Sequence, residues 1–205
     1  MPTVAIIDLH GQPHAHTQAL LGLVQGAGAS AEIHDALRGR LPARADGMII
    51  TGGPGTPEDR APWRKRLQAA AQGWASKVPV VAIGLGFEVL AQSQGWAVRK
   101  LETHRTGWHP LTPTAVGAQD PLLARLPRGT HVFEDRSWAV LPPPAATTSR
   151  NVVLAFTSAG DVAAARFGER TVGMIFHPEA QDGPVSAMHS QHLVDFIQHC
   201  MRSGR

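Results

Sequence analysis

The sequence predicts an α/β fold: an open, mainly parallel sheet with helices on both faces and antiparallel strands in its C-terminal half. Two observations lead there. Up to Gly95, short apolar runs alternate with helix-like segments, the pattern of strands buried on both faces. Beyond Gly95, residues 97 to 175 hold short alternating segments, many prolines and little helical periodicity, as antiparallel strands do.

Each element has its own signal. Val4-Ala5-Ile6-Ile7 is a first strand ending at Asp8, followed by a polar stretch from Gly11 to His16. Leu20, Leu21, Leu23 and Val24 share one face of a helix stopped by Gly26 and Gly28. Ala31 to His34 is a short second strand, and Met48-Ile49-Ile50 a third, which runs into the loop Thr51-Gly52-Gly53-Pro54-Gly55. Residues 60 to 75 form a helix with Trp63, Leu67, Ala70, Ala71 and Trp74 inward. Val78 to Ile83, the most apolar run, is a central strand that turns at Gly84-Leu85-Gly86 into a helix from Phe87 to Gln94. A last strand, Val172 to Phe176, delivers His177-Pro178-Glu179 to a strand end, and a final helix spans about Pro184 to Met201.

Composition narrows the class. At 205 residues and 43% hydrophobic side chains the chain fills one core, so residues 1–205 are read as a single domain. One cysteine excludes a disulfide framework and a Cys-based zinc site; that residue, Cys200, reads as a half-buried thiol near the end of the last helix. The 19 basic and 16 acidic side chains are scattered and leave a net charge of +3, which points to neither nucleic acid nor membrane as partner. No basic segment precedes the first apolar run, and no run approaches the ~20 residues of a membrane span, so a cytoplasmic protein is expected.

Chemistry in open α/β sheets collects at the carboxyl ends of the strands. Three loops belong there: Gly52 to Gly55, Gly84 to Gly86, and His177 to Glu179. A strand, a tight small-residue turn and a helix make a nucleophile elbow, which exposes one side chain and leaves the following backbone N–H groups for an oxyanion. His177 and Glu179, two residues apart, can project to the same side, and a carboxylate beside an imidazole fixes its tautomer and raises its basicity.

At these positions the chain resembles the class I glutamine amidotransferases. Asp46 to Pro57 is similar to the family's oxyanion-strand loop, Pro79 to Ala91 to its nucleophile elbow and following helix, and Gly173 to Glu179 to its terminal His-Pro-Glu motif. Gly107-Trp108-His109-Pro110-Leu111 and Asp120-Pro121-Leu122-Leu123 resemble the stand-alone, GMP-synthase-like members. The resemblance implies a flavodoxin-like, open parallel sheet and a site built from Gly84, His177 and Glu179, with Gly53 and Leu85 as oxyanion amides and Phe87 and Glu88 in the pocket.

The departures concern the reaction itself. The family's nucleophile is a cysteine, and the elbow position here is Gly84. The His-Gln pair that follows is Phe87-Glu88, and the Gln two residues before the final His is Ile175. Phe133 to Trp138, where the family carries a substrate-facing His, has none. Glycine cannot form the γ-glutamyl thioester that the family's mechanism requires. The expectation is therefore a pseudoenzyme with a binding, regulatory or assembly role. Its partners would be a small-molecule ligand at the old active site, a synthase subunit or a second copy of the chain. The alternative is a hydrolase or transferase of different chemistry, with His177 and Glu179 as general-base pair and the Gly53 and Leu85 amides as oxyanion hole. A dead site should be filled by Phe87 or otherwise closed, and a live one should keep a polar pocket. Glu88 reads equally as a pocket acid and as a helix-surface carboxylate. Neither His10, His14 and His16 nor His189 and His192 have the spacing of a closed site, so no metal and no cofactor is expected.

Overall fold

The apolar runs become the centre of the sheet because both of their faces are covered. The structure, a computed structural model, describes residues 1–142 and 151–180 together with Val194 and Gln198. The strands β1 (Thr3–Asp8), β2 (Ser30–Asp35), β3 (Gly47–Ile50) and β4 (Val80–Ile83) pair in parallel, in the order β2-β1-β3-β4. Every residue of β3 and β4 is buried, whereas β2, at the edge, has no buried residue and exposes Glu32 and Ile33. Helix α1 (Ala15–Gly26) connects β1 to β2, and helix α2 (Pro62–Ala75) connects β3 to β4. These crossovers run in opposite directions from the β1/β3 pair, so right-handed connections put the two helices on opposite faces. Trp63, Leu67, Ala71 and Trp74 are the buried face of α2, as their spacing predicts.

Helix α3 (Leu85–Ser93) follows β4 directly and is buried from Leu85 to Ala91, packed against the sheet, α2 and the chain beyond it. That chain departs from the expected run of short strands. β5 (Ala97–Pro110) is 14 residues long and pairs antiparallel with β7 (His131–Leu141) in a separate two-stranded ribbon. The register shifts between Lys100 and Arg105, and this irregularity breaks the alternation that would have marked one long strand. The remaining strands extend the parallel core as expected: β10 (Thr171–Met174) pairs in parallel with β4. β9 (Val162–Phe167), β8 (Asn151–Phe156) and the short β6 (Thr112–Pro113) then add antiparallel, giving eight strands in all. The predicted final helix, with Cys200, His189 and His192, lies outside the described residues apart from Val194, which is buried, and Gln198, which donates to the Ala27 carbonyl at 3.1 Å.

The core centres on Ile6, Ile7, Met48, Ile49, Ile50, Ile83, Phe87 and Met174, all essentially inaccessible to water. Full burial of one such side chain stabilises by about 1.5–3 kcal/mol. No helix among the described residues is long and apolar enough to cross a membrane.

Candidate functional site

The carboxyl ends of β1, β3, β4 and β10 meet on one edge of the sheet. Thr51 ties two of them together: its hydroxyl accepts from the Leu9 amide at 2.9 Å while its own amide donates to the Ile7 carbonyl at 3.0 Å. Glycine is required where these loops touch. A Cβ at Gly53 would overlap the Leu9 carbonyl oxygen, and one at Gly86 would stand 2.7 Å from Ile50 Cγ2 and 2.8 Å from the Thr51 carbonyl oxygen.

Between β4 and α3 the elbow is present. Gly84 has φ +51° and ψ −119°, a conformation that L side chains adopt only under strain, and its amide donates to the Met174 carbonyl at 2.9 Å. A Cβ here would have room, 3.4 Å from Gly52 Cα and 3.6 Å from His177 Nε2. A side chain at position 84, expected from the sequence to be the nucleophile position, would therefore face the imidazole; glycine presents none. No described residue accepts a hydrogen bond from the Gly53 or Leu85 amide.

His177 and Glu179 come together as their spacing predicts. The His177 Nδ1–H donates to Glu179 Oε1 at 2.8 Å, which leaves Nε2 directed at Gly84. A second imidazole shares that oxygen: His16, in the first turn of α1, donates through Nδ1 at 3.0 Å. Burial would push His177 down, but the Glu179 charge and hydrogen bond outweigh it and hold the imidazole above its ordinary value. Burial likewise opposes ionisation of Glu179, yet the charge of His177 and the two imidazole hydrogen bonds bring its carboxyl down to about 2.

These residues border an open cleft of about 760 Å³. Gly84, Leu85, Gly53, Glu88 and His177 line it, so five of the seven expected site residues face the same space, and Glu179 stands behind His177. Phe87 does not belong there. Its side chain is fully buried, with its ring against Gly173 of β10 and its centroid 6.2 Å from that of Phe167, so it fills the core and leaves the cleft open. Glu88, one residue on, is only 3% exposed and resolves to the pocket side. Burial pushes its carboxyl up to about 7, against the charges of Arg136 and His177.

The family model for class-I glutamine amidotransferase matches residues 24–196. The chain belongs to the class I glutamine amidotransferase family. Among solved structures, a protein of Thermoplasma acidophilum described as a candidate subunit of a GMP synthase superposes with a TM-score of 0.79 at 17% identity, covering 99% of this chain and 96% of that one. A glutamine amidotransferase from Thermotoga maritima gives 0.78 at 14% identity, with 97% of each chain covered. One from Methylobacillus flagellatus gives 0.75 at 18%, covering 99% and 94%. At these identities the likeness is one of fold. No curated protein is a significant match to the sequence.

Set in the amidotransferase fold, the remaining departures find their places. Ile175 is fully buried, and its amide donates to the Ala163 carbonyl at 2.9 Å, so it is a core residue. The stretch from Phe133 to Trp138 lies in β7, where Asp135, Arg136, Ser137 and Trp138 line the cleft. It has no histidine of its own, but His104 of β5 reaches across the ribbon to Asp135 at 2.7 Å and Ser137 at 3.0 Å. Arg136 is held by Glu134 at 2.7 Å, Asp161 at 2.6 Å and the Trp138 carbonyl at 2.7 Å. His10, His14 and His16, whose spacing along the chain makes no closed metal site, form a row of imidazoles on the opposite rim. His10 stacks on His14 at 3.8 Å, His14 lies 5.2 Å from His16, and His16 lies 4.7 Å from His177. His14 caps α1, its Nδ1 accepting from the His16 amide, and burial followed by the charges of His10 and His16 pushes it down. The alternation His14-x-His16 was the available signal; its direction toward the β10 loop was not.

Proposed function

We propose that the chain works as a single amidotransferase-type domain that does not hydrolyse glutamine and retains the cleft as a binding site. The observation that carries this is Gly84: the elbow backbone, the adjacent imidazole and the open cleft are in place, and the nucleophile is missing. No thioester can form at a residue without a side chain. The cleft of about 760 Å³ is within the range of small-molecule sites, and its lining of imidazoles, Glu88 and Arg136 suits a polar ligand. A regulatory or assembly role, on a synthase subunit or a second copy of the chain, follows from a ligand site without turnover. The relative described as a candidate subunit of a GMP synthase supports the synthase partner. A cytoplasmic setting agrees with the lone cysteine.

A second reading is favoured by the openness of the cleft and the protonatable Glu88 within it. In that reading His177 Nε2, backed by Glu179, accepts a proton from water or substrate, and the Gly53 and Leu85 amides hold an oxyanion.

Glutamate release from glutamine by the purified protein tests the proposal. Background release only is expected. Turnover at an enzymatic rate, abolished by His177→Ala, would overturn it. Gly84→Cys then probes the rest of the site. Regained hydrolysis would mean that the loss lies at position 84 alone, and persisting inactivity would implicate Phe87, Glu88 and Ile175.

A further inference from the structure

We propose that His16, His177 and Glu179 bind a divalent cation of the Zn²⁺ type, reached from the cleft past His16. The proposal rests on the reading above in one respect: the imidazole-carboxylate pair no longer serves a side chain at position 84, and so is available to a different client.

Geometry is the first argument. His16 Nδ1 and His177 Nδ1 converge on the same oxygen, Glu179 Oε1, at 3.0 and 2.8 Å, and one ligand-type atom from each of the three residues lies within 4.8 Å of the other two. A tetrahedral Zn²⁺ with bonds of 2.0–2.1 Å holds its ligand atoms about 3.3 Å apart. The two nitrogen-to-oxygen separations therefore need to open by only about half an ångström to admit the ion. A neutral imidazole would pass from its Nδ1–H to its Nε2–H tautomer to free the Nδ1 lone pair, and His177, held above its ordinary value, would release its extra proton to solvent as the ion binds.

The second argument is an unpaired oxygen. Glu179 is 2% exposed, and its Oε2 is buried with no hydrogen-bond partner among the described residues. A buried carboxylate oxygen without a donor is costly. A cation on Oε1 would offset the negative charge that the carboxylate shares with its unpaired Oε2.

The third is ligand chemistry. Two imidazoles and one carboxylate form a mixed nitrogen-oxygen set suited to zinc and its neighbours, whereas Mg²⁺ and Ca²⁺ favour oxygen throughout. His16 lines the cleft and its side chain is 24% exposed, so an ion has a path to the buried Glu179. Spacing along the chain compares only histidines near one another in sequence. His16 and Glu179 are 163 residues apart and meet only on folding.

The test is a titration of tag-free protein with Zn²⁺, followed by calorimetry, and with Co²⁺, followed by its visible ligand-field bands. One equivalent is expected, with tetrahedral Co²⁺ bands and no response to Mg²⁺. His16→Asn is expected to weaken Zn²⁺ binding by roughly tenfold or more with an unchanged far-ultraviolet spectrum, whereas the His10→Gln/His14→Gln double variant retains it. Imidazole NMR signals of the wild type should show His16 and His177 shifting with the first equivalent, a readout independent of whether His16→Asn folds. The proposal is overturned by absence of saturable Zn²⁺ binding, by equal Mg²⁺ binding or by NMR shifts confined to His10 and His14. Loss of binding only in the double variant would place the ion at the rim and overturn it too. Glutamine hydrolysis is scored separately, so a failure of Zn²⁺ binding leaves that result standing, and glutamate release leaves the titration standing.

Discussion

Glu88 allows a quantitative test of the cleft. Its carboxyl is 3% exposed, and burial raises it from 4.5 to about 7. The unfolded chain releases this proton near its ordinary value, while the folded chain keeps it until about pH 7. Between these values the folded state binds more protons, so the group lowers stability as pH rises across the window. At 1.36 kcal/mol per pKa unit the full effect is about 3 kcal/mol, present above pH 7 and absent below the unfolded value. Glu88→Gln keeps the shape of the protonated acid and removes the titration. Denaturant unfolding of both proteins at matched pH values isolates the effect, because every other titrating group largely cancels in the difference. Near pH 4 the two should differ by a small constant. By pH 8 the variant should have gained about 3 kcal/mol relative to the wild type. A difference that stays flat to within about 0.5 kcal/mol across that range would refute the buried, raised carboxyl.

Three further substitutions probe the architecture around the cleft. Gly84→Ala has room for its Cβ but not a comfortable backbone, so a loss of about 1–3 kcal/mol in denaturant unfolding is expected, from strain alone. Gly173→Ala would drive a methyl into the Phe87 ring and should cost about 1–3 kcal/mol by the same measurement. The Phe87→Leu background should recover part of that loss. Arg136→Met would leave Asp161 buried without its cation and Glu134 with Arg105 alone at 3.5 Å, and should cost about 3–5 kcal/mol, which a drop in melting temperature would report.

Where a signal is local, the sequence carries it. β3 and β4 read as continuous apolar runs because both of their faces are covered, and the spacing of Trp63, Leu67, Ala71 and Trp74 marks the inner face of α2. The long β5–β7 ribbon was not legible, because its register shift breaks the alternation and its pairing partner is far along the chain. Phe87 and Glu88 show the limit more sharply. Adjacent helical residues differ by about 100° in direction, and the rotation of α3 against β10 sends one into the core and the other to the cleft.

By itself, the sequence determined the sheet with its helices and the pairing of His177 with Glu179, and its motifs carried the resemblance to the amidotransferase family. The sheet and the pair are properties of residue type and near-neighbour spacing. Tertiary structure alone decided that the cleft stays open, that Glu88 titrates in it and that His16 shares the Glu179 oxygen with His177. The reason is physical: periodicity reports how one segment buries its own face, whereas a site assembled from distant loops depends on how those faces dock.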